Sequence, residues 1–434
     1  MRLLRLHFLF GLTALTVLAL HAPAAGAPAD EPVHFSLEAA SQPRAQRPEL
    51  EKVKQRAKAN GVSLGAQLRS EFGRLPKVSD SDYPDAEVDG IDAMRFADFE
   101  LMAKEKGLPL EKIVDEYGWE DQFTVLARYI AERYPRTNAG YAIREVDGVR
   151  RGWVAFEGEV PADVVAQAKK VPAPIDFEAN KGYSGEDVQA AVDEKAADLA
   201  EKGGSYAVSA DPYTGEVEVD TAPDVEDHDG WLRGGGYLDR GFGSQCTAGF
   251  NIEKDGVYSP MTAGHCVPVG QVGSWYMIYQ LHGGDGSSTT NVYSKLRHVG
   301  AYGDFSRFGP GTMSATDTFY EDWSTKRYVT SVMPLSELYA GRALCKFGTV
   351  TGRGCTAIRK HGITVTTAAG TASRLMMMET EITDGGDSGG PWFSGGAAAG
   401  ITKGGMWEGE GRRDLVSLVS LVPSALNGWT VRVH

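Results

Sequence analysis

The sequence predicts an all-β fold, a barrel or sandwich, from about residue 231 to the end, preceded by an α+β segment. Three observations predict it. Beyond Gly230, short runs rich in Val, Ile, Thr, Tyr and Phe recur between glycine pairs, at 257–261, 274–281, 331–334, 349–351, 361–367 and 398–403, with no long helix before the last dozen residues. All four cysteines and 35 of the 53 glycines lie after Gly230. The charge divides at the same place: 26 Lys+Arg against 42 Asp+Glu up to Gly230, a balance of −16, and 18 against 16 after it, a balance of +2. A chain of 434 residues with 42% hydrophobic and 24% charged residues is neither disordered nor collagenous, and its net charge of −14 excludes general attraction to a polyanion such as nucleic acid.

Arg2 and Arg5, an apolar run over 8–20 and small residues over 22–29 predict a secretory signal peptide across residues 1–29. About 13 apolar residues are too few to span a ~30 Å hydrocarbon core. Export exposes the cysteines to an oxidising compartment, where an even number in one domain points to disulfides rather than metal ligation. Residues 30 to about 90 read as linker with one helix near 49–69. Apolar residues at helical spacing from Phe96 to Ile130 predict three short helices, broken at Gly107-Leu108-Pro109 and Tyr117-Gly118-Trp119. Strands at 139–146 and 152–157 flank Asp147-Gly148, and a helix opens at Pro161. A helix near 185–201 and a hairpin at 206–219 follow, then an acidic connector at 220–230.

The chemistry concentrates in Gly385-Gly386-Asp387-Ser388-Gly389-Gly390-Pro391 and Thr262-Ala263-Gly264-His265-Cys266. A serine hydroxyl becomes a nucleophile when an imidazole takes its proton, and the imidazole needs a carboxylate to fix its tautomer. Ser388 and His265 fill the first two roles. Glycines beside the serine let backbone amides approach an oxyanion, so Gly386 and Ser388 are the expected hole. Asp304, heading a short run of alternating apolar residues, is the expected carboxylate, ahead of Asp285, Asp317 and Asp322 in polar surroundings.

These motifs resemble the chymotrypsin-like serine proteases. With Arg233-Gly234-Gly235-Gly236, Cys246-Thr247-Ala248-Gly249-Phe250 and Ala399-Gly400-Ile401-Thr402, the resemblance narrows to the bacterial secreted branch of α-lytic protease and the streptogrisins. It covers about residues 231–434. It implies two six-stranded antiparallel β-barrels with the site between them, and disulfides Cys246–Cys266 and Cys345–Cys355, one of three connectivities that four cysteines allow. It also implies a cation for Asp387 at the position after Cys345, which here is Lys346. The expected pocket walls are Ile382, Thr383, Asp384 and Gly385 on one side and Thr402, Lys403, Gly404 and Gly405 on the other. Ile382 suggests apolar substrate side chains, Glu381 and Asp384 basic ones. Two departures stand out. Asp384 lies where many relatives have a cysteine near the Gly-Asp-Ser, and Lys403 follows Thr402 where relatives have serine.

Residues 30–228 then resemble a propeptide acting in folding and inhibition, and 229–434 the protease domain. The expected protein is a secreted, extracellular, monomeric endopeptidase, processed within 220–233, acting on polypeptides and bound by its own propeptide, with no cofactor, metal, nucleic acid or membrane partner. An α/β-hydrolase fails on order, because the histidine after Ser388 is His434 at the chain end. A metalloenzyme lacks paired histidines or a Cys/His cluster. The alternative is a protease-like binding protein without catalysis.

Overall fold

The computed structural model describes residues 33–38, 47–78, 80–202, 206–211, 213–221, 230–231, 233–239, 245–282, 289–311, 313–409 and 411–434. The signal-peptide reading, Asp285 and most of the 220–233 window lie outside these residues.

In the N-terminal part, strands β1 (Val33–Leu37), β2 (Asn138–Val146), β3 (Val149–Phe156) and β4 (Ile175–Ala179) form a sheet in the order β1-β4-β3-β2. Neighbours are antiparallel except β3 and β4. Asp147 and Gly148 join β2 to β3 with φ of 52° and 75°, the two-residue turn whose twist matches the strands. The segment expected as one helix near 49–69 forms two, α1 (Pro48–Asn60) and α2 (Leu64–Phe72). Gly61 ends the first in the left-handed region at φ 63°, and the Ser63 hydroxyl caps the second by accepting from the Ala66 amide. Helices α3 (Ala93–Lys106), α4 (Leu110–Tyr117) and α5 (Glu120–Arg133) follow the helical periodicity, and α6 (Ala162–Ala168) and α7 (Gly185–Lys202) complete the segment. Among the described residues no helix is long and apolar enough to cross a membrane.

Strands β5 (Tyr206–Ala210) and β6 (Val217–Thr221) form the expected hairpin. A six-stranded antiparallel sheet follows, built from β7 (Gly230–Trp231), β8 (Gly236–Asp239), β9 (Met261–Thr262), β10 (Tyr276–Gln280), β11 (Thr289–Gly300) and β12 (Gly303–Gly309), in the order β9-β12-β11-β10-β8-β7. The second large sheet holds β13 (Ser331–Val332), β14 (Ala343–Gly348), β15 (Gly352–Thr367), β16 (Gly370–Met378), β17 (Pro391–Ser394), β18 (Ala397–Glu408) and β19 (Gly411–Leu418). They run β14-β17-β18-β19-β16-β15, and β14 pairs again with β15 to close the ring.

This second sheet departs from a plain six-stranded antiparallel barrel. The 16 residues of β15 outreach their neighbours, and the β5–β6 hairpin adds to the exposed edge through Thr364↔Val208 and Val365↔Ala207. Strand β13 lies parallel to β18, so the whole sheet counts nine strands. Residues 349–351, expected as a strand from their β-branched side chains, are instead the turn between β14 and β15.

Phe305 of β12, Phe347 of β14, Phe393 of β17 and Ile401 of β18 share one buried cluster, which locks the two sheets together. The N-terminal helices share cores with the same body: Phe123 of α5 meets Tyr339 edge-on at 5.1 Å, and Ala343 joins the core of α1 to α4. Asp98 of α3 is fully buried and meets Arg327 at 3.0 Å, Arg353 at 2.8 Å and the Gly395 amide at 2.7 Å. Truncating one member of such a group leaves uncompensated buried charge. Asp98→Ala is expected to cost about 3–5 kcal/mol of stability in urea unfolding and to raise amide exchange in α3. An unchanged midpoint would show that this ion cluster is not holding the segments together.

Candidate active site

Ser388 lies in a loop whose backbone is tied to the strand Gln245–Thr247 and to β18. Its carbonyl accepts from the Thr247 amide at 2.6 Å, the Gly389 amide donates to Thr402 O at 2.7 Å, and the Thr402 amide donates to Gly390 O at 2.9 Å. Gly389 has φ 87°, and a Cβ there would meet Thr262 Oγ1 and come within 2.9 Å of Ala263 N. Glycine thus lets the chain just after Ser388 press against the residues just before Gly264-His265. Gly386, at φ 105°, has no room for a Cβ beside Val350 and Gln245. The Asp387 and Gly390 amides are spent within the loop. Among the described residues the Gly386 and Ser388 amides have no hydrogen-bond acceptor. Two such donors in one loop suit an oxyanion.

His265 sits in a single 3₁₀ turn, Gly264–Cys266, after β9. Asp304, the second residue of β12, is fully buried. Its Oδ1 accepts from the His265 amide at 2.9 Å, and its Oδ2 lies 2.5 Å from His265 Nδ1. That approach needs a Cβ-free residue at Gly264, where a Cβ would lie 2.5 Å from Asp304 Oδ1. Of the rival carboxylates, Asp322 accepts from the Ser324 and Thr325 amides in its own turn, and Asp317 pairs with His434. The disulfides are Cys246–Cys266 and Cys345–Cys355, with Cα atoms 6.5 and 4.0 Å apart. The Cys246 and Cys266 sulfurs lie beside His265, but bonded to each other they offer no thiolate.

Lys403 turns inward. The register of β18 on β19 slips between Thr402 and Gly404, so Lys403 occupies a bulge and its side chain is re-aimed. It is 2% exposed, with Nζ 3.2 Å from Asp304 Oδ2 and 3.4 Å from His265 Nδ1. Burial opposes ionisation of Asp304, but the charges of His265 and Lys403 outweigh it and hold the carboxyl well below the usual carboxylate range. An ionised carboxylate 2.5 Å from Nδ1 favours a proton on that nitrogen, whereas the Lys403 ammonium at 3.4 Å favours a bare one. Ser417, on β19, supports the Asp304 amide through its hydroxyl at 3.1 Å.

Asp387 is fully buried, and Lys346 Nζ lies 3.4 Å from its Oδ2. Val350 N at 2.8 Å, Thr351 N at 3.3 Å, Asp384 N at 3.1 Å and the Thr351 hydroxyl also donate to it. Two of these amides belong to the 349–351 turn, which explains why that segment leaves strand geometry. Burial pushes Lys346 below the usual lysine value, against the attraction of Asp387.

The expected walls come together around one further carboxylate. Ile382 N donates to Asp414 Oδ2 at 2.7 Å, and the Thr383 hydroxyl donates to Oδ1 at 2.5 Å. Asp384 accepts from the Gly385 amide, and Thr402 from the Trp392 indole. Gly405 pairs with Asp414 across β18 and β19. Sequence reading missed Ser417 and Asp414 because β19 had not been assigned. The signal was an acid heading the largely apolar run Leu415-Val416-Ser417-Leu418.

No family model matches the chain. It is similar to bacterial serine proteases of the chymotrypsin-like type. Streptogrisin-A of Streptomyces griseus is 27% identical over 174 residues, 40% of this chain and 52% of that protein. Serine protease 1 of Streptomyces fradiae is 29% identical over 197 residues, 44% and 49% of the two chains. The chain spans about half the length of these curated relatives. Among solved structures, a glutamic-acid-specific serine protease with a histidine triad in substrate binding is 25% identical, covering 46% of this chain and all of that one at a TM-score of 0.38. Thermobifida fusca Protease A is 23% identical, covering 46% and 99%, at 0.37.

Asp304→Asn leaves Lys403 buried with no counter-charge and is expected to cost about 3–5 kcal/mol at pH 7. The Asp304→Asn/Lys403→Met pair should recover part of it in a double-mutant cycle. Because the Asp304 value is depressed on folding, its contribution is present above the unfolded carboxyl range and is lost only as pH falls through the lower folded value. Urea titrations at pH 7 and in strong acid check both statements.

Proposed function

We propose that this chain is a secreted serine endopeptidase, made as a self-processing zymogen, whose site lies between two β-barrels. The observation that carries the reading is the buried Asp304–His265 pair in the same corner as the glycine-lined Ser388 loop. In this reading Ser388 Oγ attacks the scissile carbonyl while His265 Nε2 takes its proton. The Gly386 and Ser388 amides hold the oxyanion, and one such donor is worth about 3 kcal/mol of barrier. His265 then protonates the leaving amine, and water repeats the sequence on the acyl-enzyme. Asp304 keeps its charge throughout and steadies the imidazolium.

Residues 30–228 serve as the propeptide. Their acidic balance faces cations of the later segment at Asp80–Arg233, Asp98–Arg327 and Asp121–Arg342. Processing falls within 220–233, and residues 1–29 are removed on export.

The position of Lys403 favours one second reading, a protease-like binding protein. An ammonium 3.4 Å from Nδ1 competes for the ring nitrogen that the triad needs protonated. A fluorophosphonate probe separates the readings: attachment to Ser388 marks an enzyme, and failure on folded, processed protein marks a binding module. Ser388→Ala is expected to accumulate as uncut precursor. Efficient self-maturation of that variant contradicts the autocatalytic step.

A further inference from the structure

Asp414 is a buried carboxylate that the proposed catalysis does not use. It is 0% exposed on β19, and its two oxygens are met by neutral donors, the Ile382 amide and the Thr383 hydroxyl. Among the described residues no cation pairs with it within 4 Å. Two cations come near, and each is committed elsewhere. Lys346 gives its ammonium to Gly352 O at 2.9 Å, to the Thr351 hydroxyl and to Asp387. Arg412, at the rim beside Gly405, gives Nη1 to Glu381 at 2.7 Å.

The position of this carboxylate relates it to substrate. Thr383 stands five residues before Ser388 on the loop that carries the nucleophile, and Gly405 is the far end of the opposite wall. Asp414 is bonded to the first and paired in register with the second, so it lies where the two walls meet. A carboxylate that is ionised, buried and without a counter-ion is costly in the empty protein. A cationic guest offsets that cost on arrival, whereas an apolar guest leaves it in place.

We infer that Asp414 sets the side-chain preference of the primary pocket, selecting a lysine or arginine immediately before the scissile bond. The inference rests on the protease reading and adds its substrate class. Beside the carboxylate stand Thr383 on one wall and Gly404, at φ 137°, and Gly405 on the other, and the Arg412 guanidinium that lies against Gly405 is held by Glu381. Burial, only partly opposed by the bonds from Thr383 and Ile382, pushes the Asp414 carboxyl up to about 6, with Lys346 lowering it and Glu381 raising it further. The preference therefore belongs to the ionised form. It is full above that value and fades as pH falls through it.

The test compares kcat/KM for two p-nitroanilide peptides, with arginine or leucine before the cleaved bond, using active protein recovered from expression of the full chain. The native protein is expected to favour arginine by at least about 100-fold. Asp414→Asn should lose most of that ratio, chiefly through a fall in kcat/KM on the arginine peptide. Should Asp414→Asn fail to fold, the native protein alone decides, because its arginine-to-leucine ratio must fall as pH drops through about 6. A native preference for leucine, a ratio unchanged in Asp414→Asn, or a ratio flat with pH overturns the inference and leaves the protease reading standing. Hydrolysis of neither peptide, together with no fluorophosphonate attachment at Ser388, overturns both.

Discussion

The arrangement depends on one buried carboxylate. Asp304 receives the His265 backbone amide, the His265 ring and the Lys403 ammonium, from two separate stretches of chain. Asp304 belongs to the first sheet and His265 to the turn that follows its β9, Lys403 to the second sheet, so satisfying this charge fixes how the sheets face each other. A charge removed from water is tolerated only when its partners arrive together. The local backbone is shaped to bring them: Gly264 admits the carboxylate, the β18 bulge swings Lys403 inward, and Ser417 steadies the Asp304 amide.

The same logic recurs nearby with different outcomes. Asp387 beside Ser388 draws on Lys346 and on three backbone amides, and a charge so surrounded holds the loop that presents the nucleophile. Asp98 is paired across the join between the N-terminal helices and the later strands. Asp414, unlike these three, is met only by neutral donors, and its raised carboxyl value is the physical signature of that lack. A carboxylate left short of a counter-ion at the meeting of two pocket walls is set up for a partner from outside.

Much of the chemistry was legible because it depends on short contiguous patterns. Glycines around Ser388 and the histidine motif report local backbone demands, and Asp147-Gly148 names its own turn. Asp304 could be chosen by the apolar alternation behind it. What stayed hidden depends on neighbours distant in sequence. β-branched residues at 349–351 read as strand, yet their amides serve Asp387 in a turn. The direction of Lys403 follows from a one-residue register slip that no periodicity announces. Ser417 and Asp414 act through partners on other elements, and Gly61 was too weak a signal, taken alone, to split a helix.

The account turns on which nitrogen of His265 carries the proton. A carboxylate at 2.5 Å and an ammonium at 3.4 Å both address Nδ1, and they demand opposite tautomers. With the proton on Nδ1, Nε2 carries the lone pair that the proposed base needs. With Lys403 donating to Nδ1, the ring presents Nε2–H and cannot accept a proton from Ser388. Nitrogen-15 NMR of histidine-labelled protein at neutral pH measures this directly. A proton on Nδ1, shifted far downfield by the Asp304 bond, is the result the account predicts. A protonated Nε2 with Nδ1 as acceptor would contradict it.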